Sequence, residues 1–322
     1  MILPLNLGKV RSRLGDSRTR AFRIPFARVA RVAGAGSDPA RVLKVDIAWT
    51  MNVRLFDVGD VADAREGGRM RRLVFVMVLA LTGLVAPSAA VGAPMLVHEP
   101  AHISVLSRGT EYSTNWSGYA DQGATFTDVR AAWTQPAVTC PSRQRQYASF
   151  WVGLDGYASN SVEQIGTDSD CAGRNEPVYY AWYEMYPAGS VSLSSSRYPV
   201  AVGDSMAAEV SASGTTFTLT LHDTTRGWTY KTAKTSSAAQ KSSAEWVAEA
   251  PSSCYWTCTV LPLANFNAMS FTASSTVGNG QSGTISTFEN SEIVMVTNGG
   301  TVKAQPSTLT NGNAFSDTWQ HS

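Results

Sequence analysis

Four short stretches carry side chains that could act on a water molecule. "AEWVAEAP" (244–251) holds Glu245 and Glu249, and "VEQIGTD" (162–168) holds Gln164 and Asp168. "WVGLDG" (151–156) holds Trp151 and Asp155, and "AWYEMYP" (181–187) holds Glu184. A carboxyl group such as Glu249 can take a proton from water and return it to a leaving nitrogen. A carboxamide such as Gln164 can donate N–H to a developing oxyanion while its carbonyl holds the attacking water. Being neutral, it does not force the carboxyl to share one proton with a second acid, as paired carboxylates must. Together such groups could hydrolyse an amide. Plainer readings exist for each. A strand glutamate ordinarily faces solvent, Asp155 in a turn can bond its own backbone, and Trp151 can be a core anchor. Glu163, next to Gln164, should point the opposite way on an extended chain and lie exposed.

These groups need elements that aim them together. On a helix Glu245 and Glu249 would share a face and repel. On a strand they share a face with Val247, and Trp246 and Ala248 take the other. The surroundings select the strand. "FTDVRAAWTQP", "YASFWVGLDG", "VYYAWYEMYP", "SMAAEVSASG", "TFTLTLHDT", "MSFTASSTV" and "SEIVMVTNG" are short, rich in β-branched and aromatic residues, and bounded by Gly, Pro, Asn or Ser. No dozen residues after position 93 show helical periodicity with caps. The pattern predicts an all-β sandwich or jelly roll over 113–322. Trp182, Glu184 and Tyr186 then share a face, and aromatics beside carboxyls on a concave sheet could hold an extended sugar chain or peptide.

The formal net charge of +1 conceals an uneven distribution. Residues 1–69 hold eleven arginines, whereas from Pro94 onward eleven Lys and Arg stand against eighteen Asp and Glu. Such an acidic body lacks the basic footprint of a nucleic-acid binder. It suits surroundings where carboxylates are partly protonated. "MRRLVFVMVLALTGLVAPSAAVGAP" begins at Met70 with two arginines, an apolar core and small residues up to Ala93. This is a secretory signal pattern over 70–93, cut short of a membrane span by Pro87. Because export signals open a chain, residues 1–69 are expected to be an over-extended or disordered basic segment. Residues 94–112 are expected to form a short lead-in arm, flexible or trimmed. The cysteines all follow the signal. Cys254 and Cys258 flank only "YWT" and are expected to bridge, leaving Cys140 with Cys171. No histidine lies near either pair, so a zinc site is not expected. The expected product is extracellular, monomeric and free of the membrane once the signal is removed.

Taken in order, "NWSGYA", "ASFWVGLDG", "VEQIGTD", "AWYEMYP", "VGDSM", "AEWVAEAP" and "LANF" resemble the glutamic peptidase (eqolisin) family, in a bacterial-type form. The resemblance runs from about Asn115 to the end of the chain. It implies a secreted, acid-acting endopeptidase, built as a concanavalin-like or jelly-roll-like sandwich of two curved antiparallel sheets, that acts on proteins and peptides with no metal and no cofactor. The family's catalytic glutamine falls on Gln164 and its glutamate on Glu249, the second acid of its strand, with Glu245 as the substitute. Trp151, Asp155, Asp168 and Glu184 carry over as supporting, substrate-binding residues. Fungal relatives have a long basic propeptide. Here only some twenty residues separate the signal from "NWSGYA", and the arm near His98 and His102 would have to do a reduced version of that job. The "NWS" at Asn115 coincides with the family motif and is read structurally rather than as a glycosylation site. Three rivals have other chemistry. A secreted glycoside hydrolase could pair Glu184 with Glu249, which leaves "EQIG" unexplained. A serine hydrolase using Ser205, Asp317 and His321 needs helices this chain does not offer. A lectin-like binding module would be a relative without Gln164 or Glu249.

Overall fold

The computed structural model describes residues 95–107 and 110–322; the basic segment and signal pattern expected over 1–93 lie outside the described residues. In chain order the strands are β1 (Met95–Val97), β2 (Ile103–Ser107), β3 (Thr110–Ser113), β4 (Trp116–Gln122), β5 (Phe126–Thr134), β6 (Ser149–Leu154) and β7 (Val162–Gly173). There follow β8 (Glu176–Tyr186), β9 (Ala188–Ser192), β10 (Ser205–Ser213), β11 (Thr216–Asp223), β12 (Trp228–Thr235), β13 (Ala244–Glu249) and β14 (Ser252–Cys254). The last are β15 (Cys258–Val260), β16 (Ala268–Gly278), β17 (Gln281–Gly283), β18 (Glu289–Val296), β19 (Val302–Pro306) and β20 (Phe315–Trp319). Among the described residues one 3-10 turn, Ile285–Thr287, is the sole helical element, and no helix is long and apolar enough to cross a membrane.

Two layers result, as the alternating sequence requires. The back layer runs β12-β11-β10-β5-β16-β20. The front layer runs β9-β8-β7-β6-β13-β4-β18. β19 pairs with both β18 and β20 and so joins the layers along one edge. Every pair is antiparallel except β3 with β18. β11 shows why the layers stack: Phe217, Leu219 and Leu221 are buried while the threonines between them stay partly open. They meet Phe150, Val152, Ile165, Trp246 and Ala248 of the front layer in one apolar core. β12 closes the back edge with alternate side chains exposed and two lysines, Lys231 and Lys234, which discourage edge-to-edge pairing.

Two expectations change. The arm is not a loose lead-in: β1 pairs with β14, β2 with β3, and β3 with β18. Unsatisfied strand edges of the front layer and of the β14–β15 hairpin recruit it. Glu163 does point away from Gln164, yet it is fully buried. The reverse side of β7 is the interlayer core, not solvent, because both faces of a central sandwich strand are covered. Both expected disulfides form, Cys140–Cys171 and Cys254–Cys258.

Candidate active site

The front sheet aligns the chemistry-bearing residues in three rows across β13, β6, β7 and β8. One row is Glu249–Ser149–Asp168–Tyr180, the next Val247–Trp151–Gly166–Trp182, and the third Glu245–Gly153–Gln164–Glu184. Odd-numbered positions of β13 and β6 and even-numbered positions of β7 and β8 therefore share the face turned away from the core. Trp116, Trp151, Trp182, Val162, Val247 and Ile293 form a second apolar cluster on that face.

Glycines make room for the tryptophans. A Cβ on Gly166 would lie 2.3 Å from the Phe150 carbonyl oxygen and 2.6 Å from the Trp151 Cβ. A Cβ on Gly153 would lie 2.8 Å from the Trp151 ring and 3.2 Å from the Gln164 Cβ. The Trp151 indole thus spans the interval between the two candidate catalytic residues. Its ring edge lies over Gly153, beside Gln164, and its Nε1 donates to Glu249 Oε2 at 2.8 Å.

Glu249 and Gln164 are fully buried, and each keeps one oxygen, Oε1 in both, without a hydrogen-bond partner. Burial drives Glu249 well above the ordinary carboxyl range. The charges of Glu184, Asp168 and Glu99 push it further, and the Trp151 N–H pulls it partly back. Glu184 is pushed up to about 9, chiefly by burial, with Glu99 and Asp168 adding to it. Burial also raises Asp168, to about 6, against hydrogen bonds from Tyr180, Ser149 and Trp182 that favour its charged form. Tyr180 donates its hydroxyl to Asp168 at 2.7 Å and Trp182 its Nε1 at 2.6 Å. Asp168 and Glu184 therefore stand in the same electrostatic field as Glu249.

Asp155 has a different post. It adopts a left-handed backbone (φ 71°), and its carboxylate accepts from the amides of Gln240, Lys241 and Ser242 and from the Ser242 hydroxyl. It fixes the loop that leads into β13 and makes no hydrogen bond to either Gln164 or Glu249. Glu245 shares a row with Gln164; burial is what chiefly raises it, and the acids that add to this are Asp155, Asp121 and Glu163. The acids acting on Glu249 belong to the other group, which separates the two glutamates of "AEWVAE" by neighbourhood.

The arm completes the site, and the sequence reading underweighted it. His98 is fully buried. Its imidazole stacks on Trp182 with ring centroids 3.5 Å apart and planes within 3°. Nδ1 lies 2.8 Å from Glu184 Oε2, Nε2 lies 3.1 Å from Ser149 Oγ, and the His98 amide donates to Glu184 Oε2 at 2.9 Å. Gln164 Nε2 donates to the His98 carbonyl oxygen at 2.7 Å. Trp116 Nε1 donates to the Glu99 carbonyl at 3.0 Å, and the Asn115 side-chain amide to those of Glu99 and Pro100. The "NW" of "NWSGYA" thus clamps the arm, and Asn115 is fully buried in doing so. The signal available in the sequence was "HEPAH", two histidines and an acid within five residues of an otherwise apolar and small-residue stretch. Among the described residues, one cluster has metal-ligand spacing, Glu99 with Cys254 and Cys258, but both sulfurs are committed to a disulfide.

A two-layer β-sandwich whose outer front face buries carboxyls and a carboxamide under tryptophans, with a peptide strand lying across them, defines a class of polypeptide-binding, acid-rich sandwich. Residues 114–319 match the model of the Peptidase A4 family, and the chain belongs to that family. It is 31% identical over 121 residues to Aspergillopepsin-2 of Aspergillus niger, a match spanning 32% of this chain and 42% of that relative. In structure it is similar to Scytalido-glutamic peptidase bound to a peptide-based transition state analog, with a TM-score of 0.56 and 26% identity over 64% of this chain and 98% of the other. It is also similar to SCP-B, an eqolisin-family peptidase in complex with the tripeptide Ala-Ile-His, with a TM-score of 0.53, 25% identity and the same coverage.

Proposed function

We propose that this chain is a secreted, bacterial-type acid endopeptidase that hydrolyses peptide bonds with Glu249, Gln164 and one water, without a metal. The observation that carries the reading is the 2.7 Å hydrogen bond from Gln164 Nε2 to a peptide carbonyl lying in the cleft. A donor so aimed stabilises the oxyanion that forms when water adds to such a carbonyl. Glu249 takes the water's proton and delivers it to the leaving nitrogen. Trp151 holds Glu249 through Oε2, leaving Oε1 for the water. Asp168, Glu184 and Trp182 shape the cleft wall that receives the substrate chain. The relative bound to Ala-Ile-His supports a peptide as the occupant. Here the His98 imidazole lies against Trp182, Glu184 and Ser149, and Leu96 and Val97 precede it in the chain.

Acid suits this arrangement. Three neighbouring acids cannot all ionise in a buried site. Below the value of about 6 at Asp168, that residue and Glu184 hold their protons and add no charge against ionisation of Glu249, which burial by itself still holds above the ordinary carboxyl range. As pH rises past that value, Asp168 becomes charged first and raises Glu249 further. The chain works as a monomer on protein and peptide substrates, and its export follows from the signal pattern and the two disulfides.

The test is an assay of purified protein at about pH 4 and about pH 7 on denatured protein and on β-glucan. Cleavage of the protein at the lower pH, insensitive to chelators, supports the reading. Release of sugar from β-glucan with no proteolysis replaces it with the paired-glutamate glycosidase, Glu184 with Glu249.

A further inference from the structure

Lys303 is a buried cation with no part in the hydrolytic machinery. It is 5% exposed and sits on β19, the strand that joins the two layers. Its ammonium carries three N–H donors. One goes to the Thr114 carbonyl at 3.3 Å, and among the described residues no carboxylate forms an ion pair with it. Burial lowers its pKa only to about 8, so it is charged in acid. A desolvated ammonium without an anion is costly, and an anion arriving beside it relieves that cost. A stem packed on the sheets with its head reaching for water would explain the lysine alone. It does not explain what surrounds the head.

Lys303 lines a cavity of about 710 Å³ together with His102, Gln144, Thr297 and the segment 258–262. Gln144 lies between Arg143 and Arg145, both exposed. From Pro94 onward eighteen acids stand against eleven Lys and Arg, so three cations at one cavity are a local reversal of charge. The acid beside His102 is Glu99, 3.8 Å away, which leaves Lys303 without a paired anion. The cavity also borders a free strand edge. β15 is the last strand of the sheet β1-β14-β15. Leu261 donates to Pro251 and Tyr255 to Thr257, which makes Ser252–Val260 and Cys254–Cys258 the pairs whose members do not bond each other. Cys258 and Val260 therefore turn their amides and carbonyls away from β14, toward the open edge. The reacting groups are close in the chain: Thr114 lies two positions before Trp116, the cross-strand partner of Glu249, and β14 begins three positions after Glu249.

We propose that this cavity is a second peptide site, which takes an extended chain along the β15 edge and holds a carboxylate of that chain on Lys303. The edge offers backbone partners that a polypeptide matches by strand addition and a free phosphate does not. The buried ammonium is a single point charge, suited to a singly charged carboxylate. A chain terminus and an acidic side chain both supply that group. Binding here tethers a protein chain beside the Glu249 cleft. It requires no bond to be cut, so it goes beyond the peptidase reading and stands or falls apart from it.

The probes are short acetylated peptides of valine and threonine. One ends in a free carboxylate, one in a carboxamide, and one in a carboxamide with a single glutamate side chain added. Each is titrated at about pH 6, where the probe carboxylates and Lys303 are charged, into the full chain carrying E249Q so that no probe is cut. Calorimetry reads affinity and amide NMR shifts read location. The expected result is that a carboxylate probe binds at least about tenfold more tightly than the carboxamide and shifts the amides of Cys258 and Val260. K303M abolishes that preference and K303R keeps part of it. Tight binding of the glutamate probe assigns the side chain as the source, and binding of the free terminus alone assigns the chain end. Methylating the backbone nitrogens of the probe weakens binding, a test from the ligand side that holds even if K303M misfolds. Equal affinity for the carboxylate and carboxamide probes, an unchanged preference in a folded K303M, or inorganic phosphate binding as tightly as the best probe overturns the proposal. Each of these outcomes leaves the peptidase reading standing, because that reading is tested by cleavage.

Discussion

Glu249 and Gln164 each spend one polar atom on fixed protein partners or the arm and keep an oxygen free, which is what holding a water between them requires. Replacing Glu249 by glutamine removes the proton carrier at constant shape, and kcat falls about 1,000-fold or more. Q164A loses the oxyanion donor and costs about 100-fold, mainly in kcat. Steady-state kinetics on a peptide, with circular dichroism to verify folding, measures both. W151F keeps the ring and deletes the N–H that favours ionised Glu249. The base then demands a higher pH, so the acid limb of the kcat profile moves upward, with about tenfold less activity below it. Glu245 is buried among Asp155, Asp121 and Glu163 rather than among the acids around Glu249. E245Q keeps activity within a few-fold, the outcome that separates the two acids of one strand.

The hairpin β14–β15 is closed by Cys254–Cys258 and carries Tyr255 and the highly exposed Trp256 at its tip. Its edge already pairs with an extended chain, β1. Loosening it affects how a peptide is gripped more than how it is cut. The double serine variant of Cys254 and Cys258 therefore raises KM while kcat holds. Its stability cost is about 2 kcal/mol, because the cysteines are only four positions apart. Cys140 and Cys171 are 31 residues apart and tie the β7–β8 end to the loop after β5, so their loss costs about 3–4 kcal/mol with little direct effect on KM. Non-reducing thermal melts and Michaelis–Menten kinetics distinguish the two bridges.

The molecule as a whole is loaded with buried acids. Burial raises Asp121 to about 8, Glu163 to about 7, Asp317 to about 7 and Glu184 to about 9. The folded chain therefore holds these protons more tightly than the unfolded chain, whose carboxyls keep ordinary values near 4. Stability from these groups is fully present below about pH 4 and is lost as pH rises through the folded values, up to about pH 8 or 9. The expected loss is several kcal/mol, on the order of ten degrees in Tm, between about pH 4 and about pH 8. D121N removes one such acid at nearly constant volume, so it raises Tm at neutral pH and leaves it unchanged at about pH 4. Differential scanning calorimetry across that range reads both. An acidic sandwich of this build is expected to be more stable in acid than at neutral pH.

Much of this was legible from residue order. Period-two alternation in "TFTLTLH" and "AEWVAE" identified strands and placed Glu245 and Glu249 on one face, because side-chain direction along a strand depends on nothing but parity. Four cysteines with a three-residue gap in one pair left one economical pairing. Resemblance across seven motifs singled out Gln164 and Glu249. What parity cannot report is what covers each face. Glu163 points where an extended chain sends it, but into an interlayer core, and Asp155 turns to a loop some 85 residues away. The arm's place over the site is the largest gain. Its strands are three to five residues long and lack a repeating pattern, so their structure comes from the edges and side chains they dock on, brought near by pairing between residues 86 positions apart. Local sequence determines secondary structure and facing, whereas the neighbours that set a buried proton's affinity or grip a passing strand are long-range and arise only when the sheets close.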